Sequence, residues 1–194
     1  MDSWNIKGYT LEYMDDIHCY LVDGVIVPSI TTLIKKDYNG VSDNVLKRAA
    51  EKGTYMHQVI QDYEEKGTEN EIIELHNYKF LKKQYKWECL GNEIPIILFI
   101  DNKPVAAGRI DMHYKIEKHG LMDFKRTAVL DKEYVGKQLN IYRIGFQQCY
   151  DIPIEELKAC HLRDNKRKIV EIPIKEELTL EMVKNALKEY YEKI

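Results

Sequence analysis

Two carboxylates and a lysine, Asp111, Asp123 and Lys125, stand in a setting that suits chemistry. Asp111 lies in VAAGRIDM (105–112), an apolar run that reads as a strand, and Asp123 lies in the short strand LMDFK (121–125). A tight turn around Glu117–Gly120 joins the two. Neighbouring strands run about 5 Å apart, so carboxylates near the same edge can share one divalent cation. Lys125 follows Asp123 at i+2, which in a strand puts both side chains on one face. The combination suits phosphodiester hydrolysis. A cation polarises the phosphate and acidifies a bound water, while an ammonium holds that water or steadies the developing phosphorane charge. Phe124 points to the opposite face, where its ring can pack in a core and its carbonyl stays free as a further metal ligand. A carboxylate in an otherwise apolar strand needs compensation, because an unpaired buried charge is very costly. Metal coordination supplies it. So does an ion pair with Lys125 or Arg109, and the residues alone leave both open.

The elements that must position these groups can be read from periodicity and turn residues. TLEYM, HCYLV, the Asp23-Gly24 turn and VIV predict a β-meander over 9–27. Ser29 or Thr31 is a candidate cap for a short helix reaching Lys35, followed by a loop around Asn39-Gly40. Ser42 or Asp43 is a candidate cap for a helix over VLKRAAEK, with an interruption expected at Gly53-Thr54. In the helix that follows, Met56, Val59, Ile60 and Tyr63 fall at i, i+3, i+4, i+7. A further helix is predicted over 72–87. IPIILFI (94–100), the turn Asp101-Asn102-Lys103 and VAAGRIDMHYKI form a predicted hairpin leading into LMDFK. Residues 132–150 carry Val135, Leu139, Tyr142, Phe146 and Cys149 on one helical side. ELKACHL and KIVEIPI pair across Asp164-Asn165, and Leu178–Ile194 reads as a closing helix. Strands grouped in the middle with helices before and after imply an α+β, sandwich-like fold with a central mixed sheet flanked by helices. No repeat or Pro/Gly/Ser-rich linker divides the sequence, so one domain over 1–194 is expected.

The phrases GRIDMHY and DFKR, with GTYMH upstream and QLNIY downstream, resemble the PD-(D/E)XK nuclease superfamily. Within it the chain is similar to RecB-like exonucleases and their phage relatives, among which HCYLVDGVIVPSITTLI (18–34) is a typical phrase. The resemblance runs from there to the hairpin near residue 170. It implies a restriction-endonuclease-like core and a DNA nuclease, an exonuclease of phage or bacterial recombination or repair, using Mg²⁺ or Mn²⁺. By position it makes Asp111 and Asp123 metal ligands and Lys125 the catalytic lysine. His57 becomes the additional metal ligand of the RecB-like branch, although a lone histidine beside an apolar stripe is ordinarily a packed or surface residue. Gln138 and Tyr142 match the Q-xxx-Y of the following helix, at a spacing that stacks them on one face. Glu93 matches an acidic position before the IPIILFI strand, and Glu88 competes for it. Some RecB-like nucleases hold an iron–sulfur cluster on one early and three clustered late cysteines. Here Cys19, Cys89, Cys149 and Cys160 stand far apart, so no cluster is expected.

Composition adds limits. In 194 residues with 44% hydrophobic content a sizeable core is available. The net charge of −3 gives no global argument for a polyanion partner, so DNA must be met by local patches. Lys79, Lys82, Lys83 and Lys86 recur at i, i+3, i+4, i+7 on one predicted helix face, Arg126 follows the catalytic lysine, and Arg163, Lys166, Arg167 and Lys168 crowd one turn. A charged helix face is commonly just solvated. No run approaches the 18 or so apolar residues of a membrane span, so the expectation is a cytoplasmic protein without a membrane partner. A second reading keeps the fold and DNA binding but not catalysis, as an accessory module. Phage relatives also admit homo-oligomers or a recombination partner protein.

Overall fold

The computed structural model describes residues 2–14, 19–34 and 42–192, apart from the side chain of Leu178. The expected strand start at His18, the helix end at Lys35, the Asn39-Gly40 loop and the last two residues of the closing helix lie outside the described residues.

Two-residue turns build the first sheet. Strands β1 (Asp2–Ile6), β2 (Tyr9–Met14), β3 (Cys19–Val22) and β4 (Val25–Val27) form a four-stranded antiparallel meander in that order. Lys7-Gly8 and Asp23-Gly24 both take positive φ at both positions, the geometry whose twist matches that of the paired strands. β1 was not expected; Gly8 after Lys7 was its one signal. Pro28 then leads to Ser29, whose side chain accepts from the Thr32 amide and caps α1 (Ile30–Leu33).

The second sheet has five strands in chain order: β5 (Glu88–Ile100), β6 (Lys103–Lys115), β7 (His119–Lys125), β8 (Glu156–Arg163) and β9 (Lys166–Glu171). Pairings are antiparallel except β7 with β8, which run parallel and are joined by the crossover helix α4 (Lys132–Tyr150). Pro95 is tolerated because β5 is an edge strand.

Helices α2 (Asp43–Lys66) and α3 (Ile73–Tyr85) bring Met56, Ile60, Leu75, Tyr78 and Leu81 against Met112, Met122, Phe124 and Leu162 of the sheet. A separate, larger apolar cluster joins the meander, α4 and α5 (Glu176–Tyr191) to the sheet through Leu11, Ile96, Leu121, Leu139, Phe146 and Val183. The molecule is therefore α+β, with two sheets, the larger one mixed and flanked by helices.

Two expectations need correction. No interruption occurs at Gly53-Thr54: α2 runs unbroken for 24 residues. A lone glycine costs a helix about 1 kcal/mol, and the buried Met56, Val59 and Ile60 outweigh that. The helix over 72–87 ends at Tyr85, and Lys86 turns left-handed with φ 59° while Trp87 drops into the core.

Candidate metal centre

Cross-strand register sets three carboxylates in a row. The β5–β6 ladder pairs Asn92 with Met112 and Ile94 with Ile110, which leaves Glu93 opposite Asp111. One step beyond the Met112–Met122 pair of the β6–β7 ladder, Asp111 faces Asp123. Like charges directly opposite one another destabilise a sheet. Glu93 also takes a left-handed φ of 47° within its strand, a conformation that costs a non-glycine residue of order 1–3 kcal/mol and gathers at functional sites. Glu88, the other candidate, is exposed and pairs with Lys115 at the open end of the hairpin.

His57 reaches this row from α2. Its Nδ1 stands 3.6 Å from Glu93 Oε1 and 3.6 Å from Asp111 Oδ1. Its Nε2 is 3.1 Å from the Phe124 carbonyl, and its ring meets the Phe124 ring edge-on. Among the described residues, His57, Glu93 and Asp111 bring metal-capable atoms within 4.8 Å of one another. Oxygen and imidazole donors on one side of a cleft suit a hard divalent cation with open coordination positions. The gathered set differs from the expected one: Glu93 joins His57 and Asp111, while Asp123 stands next to them.

Asp123 is almost fully buried. Its Oδ1 accepts from Lys125 Nζ at 2.7 Å, and its Oδ2 is buried without a hydrogen-bond partner among the described residues. A carboxylate oxygen in that condition is expensive unless a cation serves it. Asp111 Oδ2 accepts from the Phe124 amide at 2.6 Å. Neither Lys125 nor Arg109 pairs with Asp111: Lys125 goes to Asp123, and Arg109 to Asp2 and Glu93. The two ion pairs proposed as alternatives for Asp111 are thus not formed.

The electrostatics follow from this crowding. Burial pushes the Asp111 carboxyl up, with Asp123 and Glu93 adding to the shift and His57 and Lys125 opposing it. Burial pulls His57 down, but Asp111 and Glu93 more than offset it and hold the imidazole protonated above its ordinary range. Burial likewise works against the Lys125 charge, and Asp123 and Asp111 overcome it, so this lysine stays an ammonium. Its Nζ also donates to Gln138 Oε1 at 3.2 Å, and Gln138 Nε2 donates to the Tyr142 hydroxyl at 3.3 Å. The expected Q-xxx-Y pair therefore continues the Asp123–Lys125 chain onto α4. Gly108 lets Tyr142 approach: a Cβ there would stand 2.9 Å from the ring.

The basic residues are arranged differently from the expected free face. Lys79 bonds Glu69, and Lys82 bonds both oxygens of the half-buried Glu64. Lys83 is exposed, and Lys86 lies beyond the helix. Arg126 is tied to the buried Glu74, Arg167 stacks on Phe80 at 3.7 Å, Arg163 pairs with Asp164 and Lys166 donates to the Ala128 carbonyl. A regular lysine spacing carried no sign of these partners, because Glu64 and Glu69 come from α2 and the turn after it. Cys149 and Cys160 are buried, and all four cysteines are free thiols. Among the described residues no helix is long and apolar enough to cross a membrane.

No family model matches the chain, and no curated protein matches it. Among solved structures, the crystal structure of SSO0001 is similar over 84% of this chain and 75% of that one, at a TM-score of 0.43 and 16% identity.

Proposed function

We propose that this chain is a Mg²⁺- or Mn²⁺-dependent deoxyribonuclease with a restriction-endonuclease-like core, acting as an exonuclease on DNA in recombination or repair. The observation that carries the reading is the row Glu93–Asp111–Asp123, closed by His57 and bordered by an ammonium. A purely structural sheet has no reason to align three carboxylates, leave one oxygen of Asp123 buried and unbonded, and hold Glu93 at positive φ. A divalent cation would offset the first two costs, and the third would be the strain that brings Glu93 into its reach. The donors fit one: Glu93, Asp111 and His57, the last on giving up its Nδ1 proton, would hold it, with Asp123 and the Phe124 carbonyl at its border.

The cation would supply the charge that polarises a phosphodiester and acidifies a water. The chain's own residues do the rest. Asp123 and Gln138 fix the Lys125 ammonium from two sides, so its charge is oriented before substrate arrives. Tyr142, its hydroxyl tied to Gln138, keeps that amide in place. Held beside Asp123 as an ammonium, Lys125 would serve as an electrostatic stabiliser of the developing charge.

The test is incubation with end-labelled linear and closed circular DNA, with and without Mg²⁺ or Mn²⁺. Metal-dependent release of label from linear DNA alone is the expected result. Nicking of the circle would correct the mode to endonucleolytic. Binding of linear DNA with no cleavage in either metal would replace the enzyme by a DNA-binding accessory protein.

A further inference from the structure

Beside the metal group lies a cavity of about 360 Å³, walled on one side by His57, Glu93 and Asp111 and on the other by Tyr13 and Tyr20 of the four-stranded meander. Arg109 stands between the walls. Its guanidinium lies 4.8 Å over the Tyr13 ring, and Tyr13 packs on Tyr20 with ring centroids 4.9 Å apart. The Tyr20 phenol is pushed up to about 12 by burial, with Arg109 pulling the other way, so it faces the guanidinium as a neutral hydroxyl. The carboxylates near Arg109 do not grip it: Nε is 3.5 Å from Glu93 Oε2 and Nη1 is 3.6 Å from Asp2 Oδ2, both beyond the usual 2.7–3.2 Å of a good N–H···O bond.

Glu93 links the two halves of this cavity. One of its oxygens faces His57 and the other faces Arg109. A cation held by Glu93 and Asp111 would compete for the charge that now attracts the guanidinium. Arg109 would then present a planar fork of donors, backed by aromatic rings, one carboxylate away from the metal group. That fork matches the spacing of two phosphate oxygens and is commonly used for bidentate phosphate recognition.

We propose that Arg109, braced by Tyr13 and Tyr20, grips a backbone phosphate of the substrate strand beside the metal group, so that the meander forms one wall of the strand's path. This rests on the nuclease reading and deepens it by naming the group that binds the strand. The rings restrict the guanidinium to one plane, so less rotamer freedom is lost when phosphate binds.

The test uses the full chain, a thymidylate decamer and Ca²⁺ in place of Mg²⁺, with affinity measured across a salt series. Arg109→Ala should weaken binding at least fivefold and flatten the slope of log affinity against log salt by about 0.7, one phosphate contact on a single strand. Arg109→Lys should keep the slope while losing affinity, because the charge stays and the fork goes. Mn²⁺ binding, titrated separately, should hold or tighten, since a positive charge has left the neighbourhood of Glu93.

An unchanged salt slope in Arg109→Ala overturns the proposal, and so does loss of Mn²⁺ binding, which would make Arg109 only a positioning residue for Glu93. Binding of inorganic phosphate as tightly as the decamer also overturns it, because the site would then not be reading a strand. If Arg109→Ala melts early, Tyr13→Leu gives the same test with the arginine intact: affinity falls and the salt slope stays. Cleavage by the wild-type chain with an unchanged slope in Arg109→Ala would sink the clamp and leave the nuclease standing. A wild-type chain that binds no decamer in Ca²⁺ would remove both.

Discussion

The hairpin β6–β7 treats charge in opposite ways at its two ends. At the end where β7 stops, Asp111 and Asp123 face each other, Asp123 keeps one buried oxygen without a bond among the described residues, and Glu93 is held left-handed beside them. At the turn end of the same strands, each polar group is answered. His113 Nε2 lies 2.9 Å from His119 Nδ1, the Tyr114 hydroxyl donates to Glu156, and Lys158 donates to the same carboxylate at 2.7 Å. The strands, the hydrogen-bond ladder and the flanking core are shared, so burial alone does not explain the difference. Groups closed on one another stabilise a fold. Like charges set in a row do not, and the proposed divalent cation would offset their repulsion.

Removing a charge from the open end should therefore cost function and spare stability. Asp111→Asn is expected to abolish metal-dependent cleavage, while the melting midpoint of the metal-free protein stays level or rises as the carboxylate row is relieved. A clear fall in that midpoint, read by circular dichroism in chelator, would make Asp111 an ordinary structural residue. Lys125→Ala should retain Mn²⁺ binding and lose roughly two or more orders of magnitude in turnover, the scale of a lost electrostatic stabiliser. Cleavage at the wild-type rate would reduce Lys125 to an ion-pair partner of Asp123.

The closed end should show its role through pH. Burial pulls His113 down to about 4 from an ordinary 6.5, with His119 adding to the shift. A histidine with a depressed folded value is neutral in the native state, so the unfolded chain binds more protons between those two values. Stability is then fully present above about 6.5 and falls as the pH drops towards 4. His113→Gln should flatten that part of a stability–pH curve while leaving cleavage at pH 7 unchanged. A curve of the same shape in the variant would show that other groups carry the acid sensitivity.

Much of this was legible in the residues. The i+2 spacing of Asp123 and Lys125 required one face, and they are bonded there. Turn dipeptides with Gly, Asp or Asn positioned the hairpins, and the stripe Met56, Val59, Ile60 marked the buried side of α2. The alignment of Glu93 with Asp111 was not legible. It depends on the register across Asn92 and Ile94, and a single-residue slip would send Glu93 to the other face. The neighbourhood of Arg109 was hidden for a related reason. Tyr13 and Tyr20 belong to a separate sheet almost a hundred residues earlier, and nothing in local spacing says which strands meet. The same blindness made the lysines of α3 look like a track, since their partners lie on α2 and on the turn after it.

The lysines of α3 give the finest test of open against closed charge. Lys82 holds both oxygens of Glu64, whose side chain is 6% exposed and also accepts from the Tyr78 hydroxyl, whereas Lys83, one residue on, is exposed. Lys82→Ala should lower stability by about 1–3 kcal/mol, because both oxygens of the largely covered Glu64 side chain lose the ammonium that donates to them. Its effect on DNA affinity should be slight, since a lysine already neutralised in place releases no counterion from a phosphate. Lys83→Ala should leave stability within about 0.5 kcal/mol. If this face touches the backbone at all, Lys83→Ala alone should flatten the salt dependence of DNA binding, by about 0.7–0.9 per contact. A change in salt slope in Lys82→Ala, with stability intact, would mean that Glu64 releases its lysine to DNA. The division between closed and open charges would then fail on α3, and the strand's path would have to run across this helix as well as past Arg109.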